Sequence, residues 1–175
     1  MLVGLDAMSK TFLISDTHFG HANILTFLDG DGKVLRDFSS VEEMDETMVD
    51  NWNKTVSNKD KVYHLGDVLF SNRVLQTIMP RLNGTKILIK GNHDNLKLSQ
   101  YQQFFKDIRS YHILDKFVLS HIPIHPDSLY RWKANLHGHL HNNILDDERY
   151  MNLSVERINY TPKDFEEIRE YFNPR

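Results

Sequence analysis

The chain has 175 residues, 40% of them hydrophobic, which suits one domain with its own core and leaves no room for a large accessory domain. Its formal net charge is −3, so there is no overall basic footprint for nucleic acid, and no apolar run approaches the roughly 20 residues of a membrane span. Cysteine is absent, which excludes disulfides and thiolate ligands and points to a cytoplasmic setting.

In chain order, residues 1–7 carry Asp6 and lack a basic start before an apolar run, so they do not read as a signal peptide. They read as a disordered extension ahead of Met8-Ser9-Lys10, with one domain over 8–175. Strand-like runs bounded by loop signals follow at 11–15, 61–65, 86–90, 117–120, 134–137 and 150–155. Between them, Val41, Met44, Met48 and Trp52 line one face of a helix over 41–53. Weaker helical patterns cover 72–81 and 99–108. Residues 29–33 form a turn without the spaced ligands of a calcium loop. Near the end, Thr161-Pro162-Lys163-Asp164 predicts a helix with Thr161 as N-cap and Pro162 at its first position, running to about Tyr171. The order predicts an α/β fold, partly parallel in its first half and more antiparallel in its second.

Polar residues of metal-binding type follow the strand runs, where open α/β sheets place their sites. Asp16-Thr17-His18 follows the first run, Gly66-Asp67 the second and Gly91-Asn92-His93-Asp94 the third. His121 follows the fourth, and Gly138-His139-Leu140-His141 the fifth. Asp16 and His18 are two apart, as are His139 and His141, so in extended backbone each pair projects to one side and can grip one ion. Gly66, Gly91 and Gly138 allow tight turns and close backbone approach. A donor set of oxygen and nitrogen suits Mn, Fe, Co, Ni or Zn.

The remaining histidines divide. His64 lies within a strand run and reads as a satisfied core residue. His137 stands either as a partner to a metal ligand or without a role. His21, beside the first block, either touches substrate or does not. His125 reads as a loop residue, and His112 carries no functional case. Tyr130, Arg131, Trp132 and Lys133 precede the last block, either lining a substrate entrance or packing on the sheet.

The five blocks together resemble the calcineurin-like metallophosphoesterase superfamily, whose pattern is Asp-x-His, Gly-Asp, Gly-Asn-His-Asp/Glu, His and Gly-His-x-His. The likeness spans about residues 11–160. Asp16-Thr17-His18-Phe19-Gly20-His21 and the tail 152–160 look like its small single-domain bacterial and phage members. The resemblance implies a two-sheet sandwich flanked by helices, in four layers, with a dinuclear metal site at the strand tips. It assigns Asp16, His18 and His141 to one divalent transition metal ion and Asn92, His121 and His139 to a second, with Asp67 bridging; manganese is favoured. His93 would reach the substrate phosphate, with Asp94 orienting it. A hydroxide bridging the metals would attack phosphorus in line.

The function expected is hydrolysis of a small phosphoester or nucleotide, diesters ahead of monoesters, because the intervals after Asp94 and His121 cannot hold a cap domain. A phosphomonoesterase is the alternative, since Arg131 or Lys133 could clamp a terminal phosphate. A nuclease is disfavoured by size and charge, and a non-catalytic scaffold by the completeness of the site.

Overall fold

The computed structural model describes residues 8–173; the expectation for residues 1–7 falls outside them. Among the described residues, nine strands form two sheets. The first five in chain order are β1 (Thr11–Ile14), β2 (Lys61–His64), β3 (Thr85–Ile89), β4 (Phe105–Arg109) and β5 (Tyr111–Leu114). They are followed by β6 (Phe117–Ser120), β7 (Ala134–His137), β8 (Tyr150–Asn152) and β9 (Lys163–Asp164). The first sheet has the order β4-β3-β2-β1-β9 and the second β5-β6-β7-β8. Four α-helices accompany them: α1 (Val41–Thr55), α2 (Asn72–Ile78), α3 (Leu98–Tyr101) and α4 (Phe165–Phe172). The molecule is a mixed α/β protein, as the order of elements predicts, with two sheets, as the resemblance implies.

Alternation along the strands divides the apolar side chains between two cores. Phe12, Ile14, Val62 and Leu88 point to one face of the first sheet, where they meet Met44, Met48 and Trp52 of α1 and Leu75 and Ile78 of α2. Leu13, Tyr63, Ile87 and Ile89 point the other way and meet Phe117, Leu119, Ala134 and Leu136 of the second sheet. Phe165 and Ile168 of α4 join this inter-sheet core. α1 begins where the Ser40 side chain accepts a hydrogen bond from the Glu43 N–H, with Glu42 and Glu43 favouring its first turn.

Three expectations are corrected. Residues 99–108 are not one helix: α3 is a single turn and Phe105–Arg109 is the edge strand β4, parallel to β3. Local helical spacing yields there to the unpaired edge of β3 and to burial of Phe105. The last helix begins three residues later than expected, at Phe165 rather than Pro162. Asp164 is its N-cap, accepting from the Glu166 N–H, because Lys163 and Asp164 pair with Leu13 and Phe12 as β9. The second sheet is also mainly parallel, since only β5 and β6 form an antiparallel pair. The crossover between β6 and β7 is irregular chain with one 3₁₀ turn, Pro126–Leu129, and such a connection reads like a hairpin loop in sequence. No helix of the described residues is long and apolar enough to cross a membrane.

Trp52 is wholly buried and its indole N–H donates to the Asn83 carbonyl across the helix–sheet core. Trp52→Ala is expected to lower the unfolding free energy by about 3–5 kcal/mol, measurable as a shift of the urea midpoint.

Candidate metal centre

The five sequence blocks converge where the two sheets are stitched together. Beyond β1, the Ser15 N–H donates to the Leu153 carbonyl and the Val155 N–H to that of Ser15. The Asp16 N–H donates to the Gly66 carbonyl and the Gly138 N–H to that of His121. The chain ends carrying Asp16, Asp67, His121 and His139 are thus tied to one another through their backbones.

The local geometry is not the extended one that the Asp-x-His spacing suggests. Asp16, His18, Asp67, His139 and His141 have φ of 56°, 49°, 56°, 69° and 49°. They are five of the eight non-glycine residues with positive φ among those described. Left-handed backbone turns the chain sharply after each strand and aims the side chains inward. The conformation costs about 1–2 kcal/mol per residue and persists where surrounding bonds over-determine it. Glycines make room: a Cβ on Gly91 would lie 2.5 Å from the Asp67 nitrogen, and one on Gly138 would collide with Ser15 and the Asp16 carboxylate.

Two triads result. Asp16, His18 and His141 place their ligand atoms within 4.8 Å of one another, and so do Asp67, His121 and His139. Asp67 Oδ2 lies 3.3 Å from His121 Nε2 and 3.7 Å from His18 Nε2, so one carboxylate faces both groups. Asn92 Oδ1 joins the second, 2.8 Å from His121 Nε2 and 3.0 Å from His139 Nδ1. All seven ligand candidates are therefore together.

Several rings are preset. His121 Nδ1 lies 2.8 Å from the Leu65 carbonyl and His141 Nδ1 3.0 Å from Glu156 Oε1. With those nitrogens protonated, each Nε2 keeps its lone pair for the site. Burial pushes against a charge on Asp16, yet His18, His121 and His141 around it hold its carboxyl well below the usual range. Asp16 Oδ1 and both ring nitrogens of His18 are buried without a hydrogen-bond partner. Orphaned polar atoms cost about 1–3 kcal/mol each, and a lone carboxylate oxygen and imidazole beside a shared aspartate are the donor set of a divalent cation.

His93 is exposed beside the triads, its ring centroid 5.8 Å from that of His18. Its backbone N–H donates to Asp67 Oδ1 at 2.8 Å. Asp94 does not orient the His93 ring as expected. Its buried carboxylate accepts from the N–H groups of Asp67, Val68 and Gly91 and from the Tyr101 hydroxyl. It holds the Asp67 and Gly91 loops in place, and the backbone demand of two strand ends exhausts its acceptors.

Of the other histidines, His64 is fully buried against Thr17 and the Gly66 N–H, and burial pushes it down to about 3. It is the neutral core residue that its strand position predicts. His137 is buried with Nδ1 2.8 Å from the Gly138 carbonyl. His21 packs at a tilt against Phe70, 4.5 Å between centroids, and 5.9 Å from the His18 ring, and so lies at the site. His125 is an exposed loop residue.

Sequence reasoning missed Arg36, Glu156, Ser154 and Asp45. The buried Arg36 guanidinium donates to the Asp16 carbonyl at 2.5 Å, the Thr17 carbonyl at 2.8 Å and Glu156 Oε1 at 2.8 Å. Ser154 donates to Asp16 Oδ2 at 2.9 Å. Asp45 accepts the Gly20 N–H, and burial pushes its carboxyl up to about 6. None of the four carried a local signal: Ser154 lies inside the expected strand run 150–155, Glu156 follows it without a recognisable block, and Arg36 and Asp45 stand apart from every block.

No family model matches the chain. The chain is 38% identical over 173 aligned positions to the uncharacterized protein MJ1445 of Methanocaldococcus jannaschii, covering 89% of this chain and 87% of that protein. The Gene 66 protein of Mycobacterium phage L5 is 36% identical over 92 positions, 50% of this chain and 41% of that one. Among solved structures, the protein of unknown function AQ665 from Aquifex aeolicus superposes with a TM-score of 0.74. It is 27% identical, over 93% of this chain and 99% of that chain.

Glu156→Ala strands a buried guanidinium and is expected to cost about 3–5 kcal/mol of stability, seen in denaturant unfolding. It should also weaken divalent-metal binding by about 10–100-fold, measured by titration calorimetry. Asp45 titrates near 6 when folded against an ordinary 3.8. Because the folded chain holds that proton more tightly, stability should fall as pH rises from about 4 to about 6. Asp45→Asn should remove this component, so its stability relative to wild type should improve across that window.

Proposed function

The chain belongs to the same family as the uncharacterized M. jannaschii protein, and we propose that it is a dimetal-dependent phosphoesterase of the calcineurin-like type with a preference for phosphodiesters. The same reading extends the two-sheet architecture to that superfamily's four-layer sandwich. The observation that carries it is the carboxylate of Asp67 standing between two ligand triads, within 3.7 Å of His18 and 3.3 Å of His121. Asp16, His18 and His141 would hold one cation and Asn92, His121 and His139 the other, with Asp67 shared. Mn fits this oxygen–nitrogen set, as do Fe, Co, Ni and Zn. Bound there, the pair would supply Lewis acidity toward phosphoryl oxygens and a water of lowered pKa.

The chain's own groups supply the rest. His93 is the exposed imidazole at the rim, placed to donate an N–H to a phosphoryl oxygen and a proton to the departing oxygen, steps worth about 10²–10⁴-fold. The bond from its backbone to Asp67 Oδ1 couples its position to the shared carboxylate. Arg36 and Glu156 keep the Asp16 loop and the His141 ring in register, so that little reorganisation accompanies charge development.

Openness supports the diester preference. The stretch from Asp94 to His121 is taken up by α3, β4, β5 and β6, and that from His121 to His139 by one 3₁₀ turn and β7. Neither adds a cap, so groups on both sides of phosphorus have room.

Metal analysis of reconstituted protein should approach two ions per chain; a value near zero with every candidate metal would overturn the reading. His93→Ala should keep its metal while kcat falls about 10²–10⁴-fold, whereas Asp67→Ala should lose metal. With Mn²⁺, kcat/KM for bis(p-nitrophenyl) phosphate should exceed that for p-nitrophenyl phosphate. A clear excess for the monoester would leave a phosphomonoesterase.

A further inference from the structure

The outer face of β5 and β6 is apolar. Ile113 pairs with Val118 and Tyr111 with Ser120, alternating with the Phe117 and Leu119 side chains that fill the inter-sheet core. The helices α1 and α2 lie on the first sheet instead. Over this face runs the connection from His121 to β7, and beneath it is a cavity of about 630 Å³. That volume falls within the range of small-molecule sites. Its wall includes Asn92 and His121, so the cavity adjoins the candidate metal centre. Ile122 and Ile124 add apolar surface, Trp132 and Tyr111 add two aromatic rings, and exposed Lys90 completes the wall. Tyr111 and Ile122 are 61% and 53% exposed, so both present apolar surface to a ligand.

We infer that this cavity is the subsite for the organic part of the ester, and that its ligand is a planar heteroaromatic ring of nucleoside size attached to the phosphate. A heteroaromatic base can stack on Trp132 or Tyr111 while its polar edge meets Lys90 or the Ser128 hydroxyl, both of which line the cavity. An aliphatic chain would use the apolar surface but leave those donors and ring faces without a matched partner. The inference rests on the hydrolase reading only for the position of the phosphate.

Tryptophan emission separates binding from turnover. The chain has two tryptophans, and Trp52 is buried in the helix–sheet core, leaving Trp132 to respond to ligand. In the metal-free full chain, adenosine 5′-monophosphate should change the emission saturably and ribose 5-phosphate should not. Tyr111→Ala, at an exposed position, should weaken the nucleotide by about tenfold, the size of one lost ring–base stack. In the Mn²⁺-loaded chain, thymidine 5′-(p-nitrophenyl phosphate) and methyl p-nitrophenyl phosphate share a leaving group. Trp132→Ala should lower kcat/KM about tenfold for the first, through KM, and leave the second within about twofold. Equal responses to the two phosphates, or equal losses on both esters, would overturn the subsite. Base-dependent emission without hydrolysis of either ester would sustain the subsite and overturn the hydrolase reading.

Discussion

The buried guanidinium of Arg36 is the interaction around which the centre is organised. Its donors engage the carbonyls of Asp16 and Thr17 on the loop after β1 and the carboxylate of Glu156 beyond β8. Taking a charge out of water costs several kcal/mol, and here that cost is offset by bonds from every guanidinium nitrogen, although Glu156 Oε2 is left without a partner. Glu156 feels the same balance, since burial pushes it up while His141 and Arg36 pull it below the usual carboxylate range. The pair connects the two sheets at the point where their polar ends meet, and through Glu156 it fixes the tautomer of His141. A single ion pair thus joins sheet assembly to ligand orientation.

Around that pair the centre collects unfavourable features that the cores sustain. Left-handed backbone recurs at Asp16, His18, Asp67, His139 and His141, and Asp16 and His18 carry orphaned polar atoms. The turns at Asp16 and Asp67 are secured by neighbours, by Ser154 on the Asp16 carboxylate and by Asp94 on the N–H groups of Asp67 and Gly91. The apolar clusters on both faces of the first sheet stabilise these arrangements as a unit. Five of the eight left-handed non-glycine residues described thus fall where side chains must converge.

The asymmetry of the two sheets divides the labour further. The first sheet is covered by α1 and α2 and supplies rigidity. Against the second sheet, the connection after β6 leaves a cavity with apolar wall beside Asn92 and His121. Phe70 occupies another side of the centre, stacked on His18 and close to His21 and His93. Polar chemistry is therefore framed by aromatic surface, an arrangement suited to small organic ligands.

How much was legible in the sequence follows from the range of each interaction. Period-two and period-three-to-four patterns are local, so β1, β2, β3, β6, β7 and α1 could be read directly, together with the polar residues placed after the strands. Spacing alone also placed His64 in the core. Tertiary structure alone decided that 105–109 is a strand, because the edge of β3 supplies its partner, and that the last helix starts at Phe165, because β1 claims the two residues before it. It alone replaced extended backbone with left-handed turns at the ligand pairs and gave the Asp94 acceptors to backbone N–H groups. Arg36 and Glu156 were silent for the same reason: their meaning is a contact across 120 residues, and a pairing at that distance leaves no periodic trace in a single chain.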